Sequence, residues 1–166
     1  TTDLDGTPRQ VGTIDMGADE VPTLALPGSG DDLDLYAWIN GAGDPLASTL
    51  ASPAGSTVTF TMKSPGGTLN GALPLLAGEF YVPATPPIGL IAYPYVHLDN
   101  GPAFVIEGTF GSSPFYSPGL DPAGITLTTL VPTGLAGFGV RLQGFAVTPF
   151  VADGVFAASN AHDLLF

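Results

Sequence analysis

The chain has 166 residues, 45% of them hydrophobic, and its mean hydropathy of +0.36 excludes intrinsic disorder. Fifteen acidic residues face three basic ones (Arg9, Lys63 and Arg141), a formal charge of −12 with no basic patch, so neither nucleic acid nor an anionic lipid surface is an expected partner. Cysteine is absent, which removes thiolate chemistry, disulfide stapling and Cys-based zinc sites.

With 23 Gly and 17 Pro and almost no helical periodicity, the chain reads as short strands joined by tight turns. Residues 1–22 stand apart. Thr1 to Pro8 is polar, and Gln10 to Ala18 is extended, with Ile14, Met16 and Ala18 on one face and Asp15 and Gly17 on the other. This stretch is too poor in large apolar groups to fold alone and is expected to be a donor-like strand extension. Residues 23–30, with Pro27-Gly28-Ser29-Gly30, are expected to form a hinge, and 31–166 a β-sandwich domain.

The domain begins with Asp32 to Asn40, where Leu33, Leu35, Ala37 and Ile39 alternate with Asp34, Tyr36 and Trp38. Asn40-Gly41 is a turn signal. Thr57 to Lys63 alternates Val58, Phe60 and Met62 against three threonines. Leu73 to Val82 is an expected strand. Ile88 to Leu98, broken by Pro94, is expected as an edge strand or two short ones. Asp99-Asn100-Gly101 reads as a hairpin turn before a strand at Ala103 to Phe110, and a Ser/Pro/Gly loop follows from Gly111 to Gly124. Ile125 to Val131 and Phe138 to Thr148 are strands, the second with an expected bulge at Gly144. Gly154 to Ala158 and His162 to Phe166 close the chain, and Ser159 to Leu165 is its most helix-friendly stretch. The expected fold is therefore all-β: a two-sheet β-sandwich of jelly-roll or Greek-key type with an extended N-terminal strand.

Chemistry is sparse. His97 and His162 are isolated, and without cysteine they would need carboxylate help to hold zinc. No G-x-S-x-G elbow occurs. Glu79 and Glu107 could form the carboxylate pair of a glycosidase, but solvent-facing strand positions explain both. Asp3 with Asp5, and Asp31, Asp32 and Asp34, are acidic clusters of the kind calcium takes, although neither completes an EF-hand loop and solvated turns are the default. No cofactor is expected, and the chain is read as non-enzymatic. Tyr36 and Trp38 fall outward if the aliphatic face of their strand is the core, which marks a subunit interface ahead of a sugar platform. Tyr93 and Tyr95 form a second aromatic pair. No signal peptide or membrane span is visible, so an exported chain is expected in its mature form.

The string Asp3-Leu4-Asp5-Gly6-Thr7-Pro8-Arg9-Gln10-Val11-Gly12-Thr13-Ile14-Asp15-Met16-Gly17-Ala18-Asp19-Glu20 resembles the D-x-D-G-x-P-R-x-x-G-x-x-D-x-G-A-x-E signature that ends many bacterial secreted parallel β-helix proteins of the choice-of-anchor type, and is expected here to stand without the β-helix it follows there. Leu130-Val131-Pro132 to Leu135-Ala136-Gly137, Leu142-Gln143-Gly144-Phe145 and Ser159-Asn160-Ala161 resemble C-terminal β-sandwich modules of secreted proteins from planctomycete-like and other environmental bacteria. These resemblances imply export and a sandwich, and no activity. A strand without its own sheet needs a partner, and the arrangement resembles donor-strand pili. The leading expectation is a secreted, cell-surface structural protein that polymerises head to tail, each N-terminal strand inserting into the sheet of the next copy. Val11, Ile14, Met16 and Ala18, with Tyr36 and Trp38, are its expected assembly residues. The alternative is a carbohydrate-binding or adhesin module.

Overall fold

The computed structural model describes residues 26–99, 103–108 (as a backbone strand) and 119–166. Val11, Ile14, Met16, Ala18, Asp3 and Asp5 lie outside the described residues, as does the 1–22 extension. So do Asn100-Gly101 of the expected hairpin turn and Gly111 to Pro118 of the expected loop.

Among the described residues the chain forms eight strands: β1 Asp34–Ile39, β2 Thr49–Ala51, β3 Thr57–Lys63, β4 Leu73–Tyr81, β5 Ala103–Gly108, β6 Ile125–Leu130, β7 Gly139–Val147 and β8 Phe156–Leu165. They make two sheets packed face to face, a β-sandwich as expected. One sheet has three strands in the order β1-β3-β6, and the other has five in the order β2-β8-β7-β4-β5. All pairings are antiparallel except β2 with β8.

Period-two alternation explains the packing. In β3 the apolar residues Val58, Phe60 and Met62 are buried, while Thr57, Thr59 and Thr61 face out. Leu35 and Ala37 of β1 and Leu127 of β6 complete the inner face of the small sheet; Leu76, Val140, Leu142, Ala157 and Leu164 meet them from the large one. The Asn40-Gly41 turn has both residues at positive φ, 53° and 71°, as a two-residue hairpin requires.

Three local expectations change. Ile88 to Leu98 is not a strand. It is a run of turns with one isolated bridge, Leu90 to Tyr93, lying over the outer face of the large sheet. Pro94 lacks an N–H group for a ladder, and the backbone of the run is instead held by side chains: Asp99 accepts from the N–H groups of Ile88 and Gly89, and Gln143 from that of His97. The two closing strands are one ten-residue strand, β8, which absorbs the helix-friendly stretch because both of its sides find sheet partners. The bulge expected at Gly144 carries its extra residue on β8. Gln143 pairs with Ala161 and Phe145 with Ala158, so Ser159 and Asn160 together stand opposite Gly144. Strand β2, three residues long, was not anticipated.

Candidate functional site

The small sheet has two edges, and they are treated differently. At the β1 edge, Leu35 donates its N–H to Asn160 Oδ1 at 2.9 Å and accepts from Asn160 Nδ2 at 2.9 Å. Both ring nitrogens of fully buried His162 lie 2.7 Å from carbonyl oxygens, those of Ala47 and Leu35. The N–H of Ala37 donates to the carbonyl of Pro45. Side chains of β8 and one loop carbonyl thus close this edge, and the bulge at Ser159–Asn160 aims the amide there.

The β6 edge has no strand partner among the described residues. Its inner neighbour β3 pairs with it from Met62–Ile125 to Thr57–Leu130, and no described residue pairs with its other side. Thr126, Thr128, Thr129 and Leu130 are exposed, Leu130 at 66%. Because three strands face five, part of the large sheet's inner face lies beyond β6. Phe80, on the same face of β4 as core Leu76, keeps 48% of its surface exposed. A groove of about 210 Å³ runs here between the sheets, walled by Phe80, Thr129, Leu130, Leu135, Val140 and Phe166. An unpaired edge beside an apolar groove is the geometry that accepts an added strand.

Outside this edge, the small sheet presents a polar face. Thr59 and Thr61 of β3 pair through their hydroxyls with Thr128 (3.1 Å) and Thr126 (2.9 Å) of β6. On β1, Tyr36 and Trp38 stack with ring centroids 6.1 Å apart, half-buried, and Lys63 lies over the Tyr36 ring at 5.6 Å. Burial and the hydrogen bond to Asp34 push the Tyr36 hydroxyl up to about 12. The expected outward placement of this aromatic pair is what the strand register gives.

The other candidates are engaged in structural contacts. Glu79, Arg141 and Asp163 are cross-strand neighbours on the outer face of the large sheet, beneath the 82–99 segment. Arg141 makes two bonds of 2.8 Å to the Asp163 carboxylate and donates to the Pro87 carbonyl at 2.7 Å. Glu79 is buried and accepts the Asp99 N–H at 2.6 Å. Burial and the nearby Asp99 charge raise its pKa against the pull of that N–H and of Arg141. Glu107 sits opposite Leu76 in the β4–β5 register. His97 Nε2 lies 2.7 Å from the Pro27 carbonyl.

The three aspartates do not converge. Asp31 accepts from the Ser29 hydroxyl and Asp34 from the Tyr36 hydroxyl, while Asp32 binds the 64–68 turn. Among the described residues no cluster of three or more metal-ligating side chains forms. A second open pocket of about 310 Å³ lies on the outer face of the large sheet between Leu75, Leu90, Tyr93, Phe145 and Phe156. Tyr95 packs edge-on against Phe156 beside it. No helix among the described residues is long and apolar enough to cross a membrane.

Residues 26–30 are the described part of the expected hinge. Leu26–Ser29 runs antiparallel along β8: Ala161 donates to the Leu26 carbonyl, and Ser29 to that of Ala158. Gly28 lies so close to β8 that a Cβ there would sit 2.3 Å from the Ala158 oxygen. Sequence reasoning found β6 but not its place at the edge of the described sheet, because edge status depends on the order of strands. Comparison with protein-family models, curated proteins and solved structures finds no match.

Proposed function

We propose that this chain is a secreted, non-enzymatic structural subunit that polymerises into an extracellular filament, the N-terminal strand of one copy adding to a sheet of the next. The observation that supports this reading is the β6 edge, which no described residue pairs, beside an apolar groove in a sandwich whose described strands number three against five. A strand edge left open on a stable sandwich invites pairing with another chain. The contact is heterologous, since the giving segment and the receiving edge are different surfaces, and such contacts build filaments or rings. Negative-stain images and light scattering of the purified chain test the reading. Fibres are expected, and deletion of residues 1–22 is expected to leave discrete monomers. Assembly that is unchanged by the deletion refutes it.

The second reading, a carbohydrate-binding or adhesin module, draws on the stacked Tyr36–Trp38 pair beside the threonine face. It predicts a glycan ligand whose binding falls about tenfold in Trp38→Ala, the equivalent of about 1.4 kcal/mol from one lost stacking contact. A glycan array with no hits removes it.

A further inference from the structure

We propose that residues 82–99 form a proton-operated strap, held more tightly to the large sheet in mild acid than at neutral pH, with Glu79 as the group that takes the proton.

The strap is fastened by side chains on the outer face of the large sheet. Arg141 donates to the Pro87 carbonyl at 2.7 Å and to that of His97 at 3.4 Å. Gln143 accepts the His97 N–H at 2.9 Å and donates to the Tyr95 carbonyl at 2.7 Å. Glu79 accepts the Asp99 N–H at 2.6 Å. Asp99 in turn ties the two arms of the strap together, its carboxylate accepting from the N–H groups of Ile88 (3.1 Å) and Gly89 (2.8 Å). Beneath it, Val96 and Leu98 pack on Ala77, Phe145 and Ala158. Lifting the strap therefore breaks polar bonds and wets apolar surface together.

Charge makes the closed state sensitive to protons. Closing gathers three carboxylates, those of Glu79, Asp99 and Asp163, around the single guanidinium of Arg141. That cation is already committed to Asp163 through two bonds of 2.8 Å. Glu79, at 4% exposure, has the least water. Of the remaining neighbours, the Tyr81 hydroxyl is pushed up to about 12 by burial and Asp163 and stays neutral. The register sets Ala103 of β5 opposite Glu79, and Asn100, Gly101 and Pro102 carry no titratable group. His97, whose Nε2 lies 2.7 Å from the Pro27 carbonyl, is the other side chain of the strap that changes charge in the mild range. Burial first, and the Asp99 charge with it, raise the pKa of Glu79 above its ordinary 4.5, against the Asp99 N–H and Arg141. Lifting the strap returns water to Glu79 and takes Asp99 away, while Arg141 stays on β7 beside it. Glu79 therefore takes a proton more readily under the closed strap than under the lifted one. A raised closed-state value means that the added hold is full below pH 4.5 and is lost as pH rises through that value.

Hydrogen exchange of the full-length chain at pH 7 and pH 4.5, each rate divided by the intrinsic rate at that pH, tests the strap. Protection of the Gly89, His97 and Asp99 amides is expected to rise about threefold or more on acidification, with the β3 amides changing less. Glu79→Gln is neutral at both pH values and still accepts the Asp99 N–H, so it is expected to show the acid level of protection at pH 7 and no response to pH. Asp99→Asn keeps an acceptor for the Ile88 and Gly89 N–H groups but removes the like charge, and is expected to weaken the response. His97→Gln is expected to respond as the unaltered chain does. Trp38 fluorescence checks that each variant folds.

A response that survives Glu79→Gln, or that vanishes in His97→Gln, overturns Glu79 as the group that takes the proton. Protection that is flat or falls on acidification overturns the strap itself. Where Glu79→Gln fails to fold, an Asp99→Asn response equal to that of the unaltered chain overturns the proposal.

Discussion

Replacing Asp32 with Ala tests whether one carboxylate organises the corner between β1 and β3. Its oxygens accept from the Ser64 hydroxyl, from the N–H groups of Gly66 (2.7 Å) and Thr68 (3.0 Å), and from the Thr68 hydroxyl (2.9 Å). Burial works against the charged form, but these four donors prevail and hold the pKa at about 2, against an ordinary 3.8. At about 1.36 kcal/mol per pH unit, that gap sets a ceiling of about 2.4 kcal/mol on the pH-dependent contribution. Solvent still reaches the carboxylate, so about half of the ceiling, roughly 1 kcal/mol, is the expected size.

The sign follows from which state takes the proton first. The folded pKa lies below the unfolded one, so on acidification the unfolded chain protonates first. The stabilisation is full above about pH 5, drains between pH 4 and pH 2, and is gone below about pH 2. Urea unfolding followed by Trp38, the single tryptophan, reads it at several pH values. Asp32→Ala is expected to cost about 2 kcal/mol at pH 7, from lost charge-assisted hydrogen bonds. The deficit should narrow by about 1 kcal/mol between pH 5 and pH 2. A deficit constant over that range refutes the argument that charge on this carboxylate is what the turn uses.

Other outcomes follow from the same structure. Arg141→Met should cost about 3–5 kcal/mol by leaving Asp163 and Glu79 without their cation, and Arg141→Met/Asp163→Leu should recover much of it; both are measured by urea unfolding. Gly144→Ala should cost about 1–3 kcal/mol, because its Cβ would lie 2.5 Å from the Met62 sulfur, and a lowered urea midpoint with unchanged slope would show it. Gly28→Ala should push Leu26–Ser29 off β8 and erase hydrogen-exchange protection at the Ala161 amide, while the β3 amides stay protected.

Much of the fold was legible because alternation is a local signal. Thr57–Lys63 matches β3 residue for residue, and Asn40-Gly41 makes its turn because two adjacent positive φ angles suit this pair. What escaped was decided by partners distant in sequence. Ser159 to Leu165 has acceptable helix propensity, yet it is the strand between β2 and β7. Strand β2 is three residues long and exists because β8 offers it an edge. Ile88 to Leu98 has strand-like composition but lies where side chains of Gln143, Asp99 and Arg141 reach its backbone, the last at the His97 carbonyl. Of the candidate site, the outward Tyr36–Trp38 pair followed from parity alone. The place of β6 at the edge of the described sheet did not, since no residue within Ile125–Leu130 records the order of strands. Glu79 looked available for chemistry because its contacts with Asp99 and Arg141 come from 20 residues away and from a neighbouring strand.

The amide of Asn160 also settles a question of alignment. Hydrophobic alternation forbids a strand to slide by one residue but tolerates a slide by two, which returns the same faces to the core. An Asn side chain sets an acceptor and a donor side by side, the complement of a single peptide position, and here both meet Leu35. Sliding β1 by two would bring Leu33 or Ala37 to that amide, and the N–H of Ala37 already belongs to Pro45. Asn160 therefore works as an index pin. It fixes the offset of β1 against β8 to one setting, and with it the angle at which the two halves of the molecule are locked together.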